Sequence, residues 1–198
     1  NLHWHVSAWD LVAMRFAIAF IILMPVLVYN KDLAFLWHPR PIILALTGGL
    51  AYCLTVYTAF LHAPAAHAAI FLNGCIPLCT AVAAYLLFKQ PFDKHTWLSL
   101  IIMLSALALM SYLMLHEQAS AFGLGDILFF LSAVWWGIFT VLLKQWKLSA
   151  WHSMASVAIW SALIYLPIYI LFIPKHFQEA EPVHLLVQGV FHGVLVVI

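Results

Sequence analysis

A few side chains in this long apolar sequence have the chemistry to handle a solute. Arg15 lies in SAWDLVAMRFAIAFIILMP, Ser7 to Pro25, and is the one basic residue well inside such a run. A charge in that setting costs roughly 2.5–3.5 kcal/mol, so it needs a reason to be there. It can anchor an anionic or carboxylate-bearing group. It can equally snorkel to the interface, about 7.5 Å along a helix axis from Asp10, or hold a neighbouring helix by hydrogen bonds. Asn73 stands beside Gly74 and one turn before Pro77. A proline frees a backbone carbonyl there, and the amide can bind a solute or glue helices together.

Asp126 follows Gly125 at the start of another apolar run, where a carboxylate can cap a helix through its free amide hydrogens or carry a coupling proton. Tyr52, Tyr57, Trp135 and Trp136 lie deep enough to line a cavity. Adjacent residues on a helix point about 100° apart, so one tryptophan of the pair faces it, and Trp136 is the choice. Trp37, Trp97, Trp146 and Trp151, near the ends of runs, read as interfacial anchors. Substrate-binding residues are therefore expected to be Arg15, Tyr52, Asn73 and Trp136, with Asp126 a coupling group or a helix cap.

The elements that must position these groups follow from composition. The chain is 66% hydrophobic and 8% charged, against roughly a quarter charged in soluble domains. Six runs of about 20 apolar residues, near 10–29, 41–61, 66–88, 96–115, 124–143 and 152–173, are each long enough to span a bilayer as a helix, and a seventh starts near His184. The reading is an all-α polytopic integral membrane protein, a helical bundle in contact with lipid. A net charge of +1, with no basic run and no phosphate-cradling glycine loop, excludes nucleic acid and nucleotide as partners.

The three cysteines, Cys53, Cys75 and Cys79, fall inside apolar runs and read as packing residues. Eleven histidines, among them His3, His5, His62 and His67, sit mostly at run ends without the carboxylate or thiolate company of a metal site, so no metal and no cofactor is expected. A membrane enzyme would need a nucleophile with its base or a paired-acid motif. The chain has no Gly-x-Ser-x-Gly, no His-Glu-x-x-His and no Asp pair within a run. A non-transporting receptor or scaffold is the other alternative, and it leaves the chain's internal symmetry without a purpose.

That symmetry is an echo. SAWDLVAMRFAIAFIILMP returns as SAWHSMASVAIWSALIYLP from Ser149, 142 residues on (149 − 7), with identities at Ser7/Ser149, Ala8/Ala150, Trp9/Trp151, Ala13/Ala155, Ile22/Ile164 and Pro25/Pro167. The copies are the first and sixth spans, five crossings apart, so they thread the membrane in opposite directions. Inverted repeats of this kind build the two gates of many secondary transporters. Lysine and arginine fall in alternate loops: Lys31 and Arg40, then Lys89 and Lys94, then Lys144 and Lys147, with Lys175 alone in the sixth. This puts the odd loops in the cytoplasm and the start of the chain outside.

Arg15 in its span, Pro77 in AAIFLNGCIPLCTAVAAYLLF and Gly125-Asp126 opening LGDILFFLSAVWWGIFTVLLK resemble the drug/metabolite transporter superfamily, in particular its EamA-type members. Two positions depart from that pattern. Phe88-Lys89 stands where Gly-Glu is usual, and Leu98 and Ser105 stand at glycine positions of the following helix. The resemblance implies ten helices in a 5+5 inverted repeat, with the fourth span of this chain peripheral. It also implies transport, commonly export, of a small organic solute or metabolite; the expected location is the cell membrane and the expected state a monomer or homodimer. On this reading residues 1–118 are the first repeat, lacking its first helix, and 119–198 the second, lacking the rest of its eighth span, its ninth and its tenth.

Overall fold

The computed structural model describes residues 8–29, 33–118 and 122–172. The run from His184, the repeat boundary at 118/119, His3, His5, Ser7, Lys31 and Lys175 lie wholly or partly outside the described residues. Within them, the regular structure is helical, and six helices are long and apolar enough to cross a membrane: α1 (Ala8–Tyr29), α2 (Pro39–His62), α3 (Ala65–Phe88), α4 (Lys94–Gln118), α5 (Leu124–Trp146) and α6 (Ala150–Phe172). The protein is an all-α polytopic membrane protein. The helices coincide with the six apolar runs of the sequence to within a few residues. The chain divides into two compact units, one from 1–54 with 146–198 and the other from 55–145.

In the first unit, α1 buries a stripe of Val12, Phe16, Ala19, Leu23 and Leu27 at helical spacing. Facing it, α6 buries Ala155, Ala158 and Ala162. Small residues allow backbones to approach closely where lipid gives no hydrophobic drive to associate, and that is how α6 accepts α1. The two run antiparallel. Trp9 at the start of α1 meets Tyr165 late in α6, while Leu27 clusters with Ala155 and Ile159 early in α6. Both helices carry an internal proline, Pro25 and Pro167.

α2 is α-helical over Pro39–Leu44, widens to a π-helix over Ala45–Ala51 and returns to α-helix at Tyr52. Gly48 and Gly49 are buried in the wide segment. A Cβ at Gly49 would collide with Ser161 Oγ, and that hydroxyl donates to the Ala45 carbonyl at 3.3 Å. A serine on α6 thus caps a carbonyl that the π-turn exposes. A 3-10 turn, Ala34–Trp37, is tied to α6 by Trp160 Nε1, which donates to the Leu36 carbonyl at 3.0 Å.

In the second unit, α3 begins as an α-helix at Ala65, is π-helical over Ala69–Gly74 and resumes at Ile76. Pro77 is the reason for the break: it has no N–H to give the Asn73 carbonyl four residues earlier, and its ring crowds that carbonyl. The helix ends on Lys89 in the left-handed region, φ 53°, with its N–H on the Tyr85 carbonyl at 2.9 Å. α4 is the most exposed helix, with Leu100 buried and Leu107 lying over Gly74.

α5 buries one face through Phe129, Ser132, Ala133 and Gly137. A Cβ at Gly137 would lie 2.8 Å from both Cys79 C and Thr80 N, so α5 touches the α3 backbone there. Gly137→Ala is expected to force the two helices apart at a cost of about 1–3 kcal/mol, read as a lower midpoint of thermal unfolding. Cys53, Cys75 and Cys79 are free thiols and buried, as packing residues are.

Candidate functional site

The buried polar side chains among the described residues are Asp10, Thr47, His67, Asp126, Ser132, Ser153, Ser156 and Ser161. Thr47, Ser132, Ser153 and Ser156 each bond a backbone carbonyl one turn back in the chain, at 2.9, 2.8, 2.8 and 2.5 Å. Ser161 serves the α2 carbonyl described above. Ser132 Oγ also lies 2.8 Å from Thr55 Oγ1 on α2, and the acids and the histidine differ from the hydroxyls in being ionisable groups whose side-chain partners lie on another helix.

In the first unit, Asp10 lies in the first turn of α1 and is fully buried. Tyr169 of α6 donates its phenol to Asp10 Oδ1, and Tyr165, one turn earlier, donates to the Trp9 carbonyl at 3.1 Å. The two tyrosine rings stack with centroids 6.0 Å apart, and Phe16 meets Tyr165 edge-on at 5.9 Å. Arg15, further along α1, is half-buried, with its Nε buried. Tyr52, next to Cys53, is half-buried immediately after the π-helical segment. This unit gathers a cation, an anion and phenolic donors onto α1, α2 and α6.

In the second unit, Asp126 has two partners. Its Oδ2 accepts the Gly123 N–H at 2.9 Å, the reach-back bond of a helix start, and its Oδ1 pairs with His67 Nδ1 at 2.5 Å. His67 and Asp126 are buried, 3% and 1% exposed. Asn73 lies in the π-helical segment of α3 and is exposed. Trp136, on α5, is half-buried with its ring 5.3 Å from Phe139, and Thr140 donates to its carbonyl at 2.8 Å.

Of the four expected substrate residues, Arg15 and Tyr52 thus share the first unit and Asn73 and Trp136 the second. Tyr52 and Asn73 each stand at a π-helical segment, a departure that recurs at functional sites because it re-aims side chains. Sequence reasoning missed His67, taken with the other run-end histidines, and Tyr165 and Tyr169, which it did not single out. Depth was the available signal. In the first unit α1 and α6 run antiparallel, so the start of α1 and the last turns of α6 share one level, and Asp10 had phenolic donors there.

The EamA-like transporter family profile matches residues 2–112. The chain belongs to the EamA-like transporter family, a class of multi-pass membrane proteins. The matched stretch holds Arg15, Tyr52, Asn73 and His67 and stops short of Asp126 and Trp136. No curated protein and no solved structure matches the chain.

Proposed function

We propose that the chain is part of a secondary transporter that exports a small organic solute across the plasma membrane by alternating access between two inverted repeats. The observation that carries this is the way α1 and α6 pack. Shifting residue numbers by the 142-residue offset turns the pair Trp9 and Tyr165 into Trp151 and Leu23, and the pair Phe16 and Tyr165 into Ala158 and Leu23. The first pairs are in contact, and Leu23 clusters with Ala158 under Trp151. Phe20 and Ala162, equivalent to each other, line one groove. Antiparallel helices that exchange their contacts in this way suit a pseudo-two-fold axis in the membrane plane, the symmetry by which one repeat's outward gate becomes the other's inward gate.

On this reading Arg15 holds a negative group of the solute, Tyr52 and Asn73 supply hydrogen bonds and Trp136 gives a stacking wall. Asp126 serves as a helix cap and is available as a coupling group. The orientation follows from the lysine and arginine loops, with the short loop before Ala65 outside and the loop at Lys89 in the cytoplasm. A cysteine at Ala65, an exposed position, is expected to react with an impermeant maleimide added to whole cells, and a cysteine at Gln90 to stay unlabelled until the cells are opened. The reverse pattern overturns the orientation, and labelling of both from outside overturns the crossing of α3.

A further inference from the structure

In the second unit the starts of α3 and α5 touch through the turn that precedes α3. A Cβ at Gly125 would lie 2.8 Å from Ala63 N and 2.9 Å from His62 C. One residue further on, Asp126 gives both carboxylate oxygens to N–H groups: Oδ2 accepts from the Gly123 backbone at 2.9 Å, and Oδ1 lies 2.5 Å from His67 Nδ1. An ionised carboxylate only accepts, so Nδ1 carries the hydrogen of that bond and the tautomer is set by it. A further proton then enters at Nε2 of the imidazole, because placing it on the carboxylate would remove the charge at which both N–H groups are aimed. The surroundings are apolar. Phe71, one turn along α3, has its ring 6.3 Å from the imidazole and meets Phe122 edge-on at 5.7 Å. The surface is close all the same, since Ala65 and Ala66, which precede the buried His67, are exposed.

We infer that His67 is a proton-binding site, positioned by Asp126, that fastens the starts of α3 and α5 together in acid and lets them part when the proton leaves. Without that proton, Asp126 holds a full negative charge among apolar side chains, offset only by two neutral donors. With it, the pair is neutral overall and the contact is charge-assisted from both sides. Acid therefore favours the joined arrangement, and histidine suits the task because its charge changes between about pH 5 and 8. A single proton limits the response to about tenfold in the balance of the two arrangements per pH unit. The other titratable groups at this end are Tyr57 and His62 on α2 and Tyr112, His116 and Glu117 on α4. His62 is exposed, with Nδ1 2.9 Å from the Thr58 carbonyl of its own helix. Lys89, Asp93, Lys94, His95 and Lys144 lie at the opposite ends of α3, α4 and α5. The pH that the site reads is the external one; that assignment of side rests on the orientation proposed above, whereas the tie between α3 and α5 does not.

The test is the distance between spin labels at Ala65 and Leu124, both exposed, in the intact protein with its native cysteines replaced by alanine, followed from about pH 5 to pH 8. The parent should show a shorter population that gains on a longer one as the pH falls, by up to about tenfold per unit. His67→Gln keeps an N–H donor for Asp126 and takes no proton, so its distances should be the same at every pH. Asp126→Asn keeps the acceptor for Gly123 and removes the charge, and it should flatten the response as well, so the inference does not depend on one variant folding. His62→Gln is the control and should respond like the parent. A parent whose distances ignore pH overturns the inference. So does a response that survives His67→Gln, or one that His62→Gln abolishes, which would move the sensor to α2. A wrong orientation would appear separately, as reversed maleimide labelling at Ala65 and Gln90, and would change only the side whose pH is read.

Discussion

Arg15→Gln is expected to abolish solute transport by the intact protein while expression and membrane insertion stay at the parent level. Glutamine keeps the length and some hydrogen bonding and removes the charge. A carboxylate held by a charged hydrogen bond loses roughly 1.5–3 kcal/mol when that bond goes, about a ten- to hundredfold loss of affinity. The half-buried placement of Arg15, with Nε enclosed, makes the substitution a change inside the protein and not at its rim. Asn73→Ala and Trp136→Ala are expected to raise the half-saturation concentration and to leave the maximal rate nearer the parent's. The control is Ser105→Ala on α4, where an exposed hydroxyl bonds the Ile102 carbonyl of its own helix at 2.8 Å, and transport should be unchanged. An Arg15→Gln protein that transports like the parent would end the case for an anionic solute group.

The second large effect is structural. Asp126→Ala leaves His67 Nδ1 and the Gly123 N–H without their acceptor in a buried place. Leaving a buried polar group without its hydrogen-bond partner costs about 1–3 kcal/mol, because the remaining group keeps its desolvation penalty and loses its compensation. His67→Ala should cost somewhat less, since Asp126 keeps its bond to Gly123. The double variant should be less destabilised than the two singles added together, and that shortfall measures the pair itself. Unfolding in mixed micelles, read by circular dichroism, gives all four corners of the cycle. Strict additivity would mean that the 2.5 Å contact contributes nothing to stability.

The six spans were readable from the sequence because a bilayer dictates helix length, and runs such as 66–88 and 124–143 could be nothing else; the helices are Ala65–Phe88 and Leu124–Trp146. The break before Pro77 was readable for the same kind of reason, a missing N–H. The π-helical widening at Ala45–Ala51 was not, since it depends on Gly49 meeting Ser161 from a helix more than a hundred residues later. Asp126 shows both sides of the matter. Its cap to Gly123 is a local bond that the Gly125-Asp126 pair announces, whereas its bond to His67 joins residues 59 apart and is set by packing. Asp10 and Tyr169 are further apart still, 159 residues. The sequence shows that a buried acid needs a donor at its own depth; which donor on which helix is decided by how the helices assemble.

The claim that this protein is a carrier is tested most directly by counterflow. Proteoliposomes containing the intact protein are loaded with one unlabelled solute from a panel of amino acids, nucleosides and amphipathic drugs, then diluted into a trace of the same solute in labelled form, with and without a pH gradient. Alternating access predicts that for at least one panel member the label rises transiently above its equilibrium level inside the vesicles, and that Arg15→Gln removes the rise. Label that only equilibrates, or that enters no faster than in protein-free vesicles for every solute tried, would contradict it.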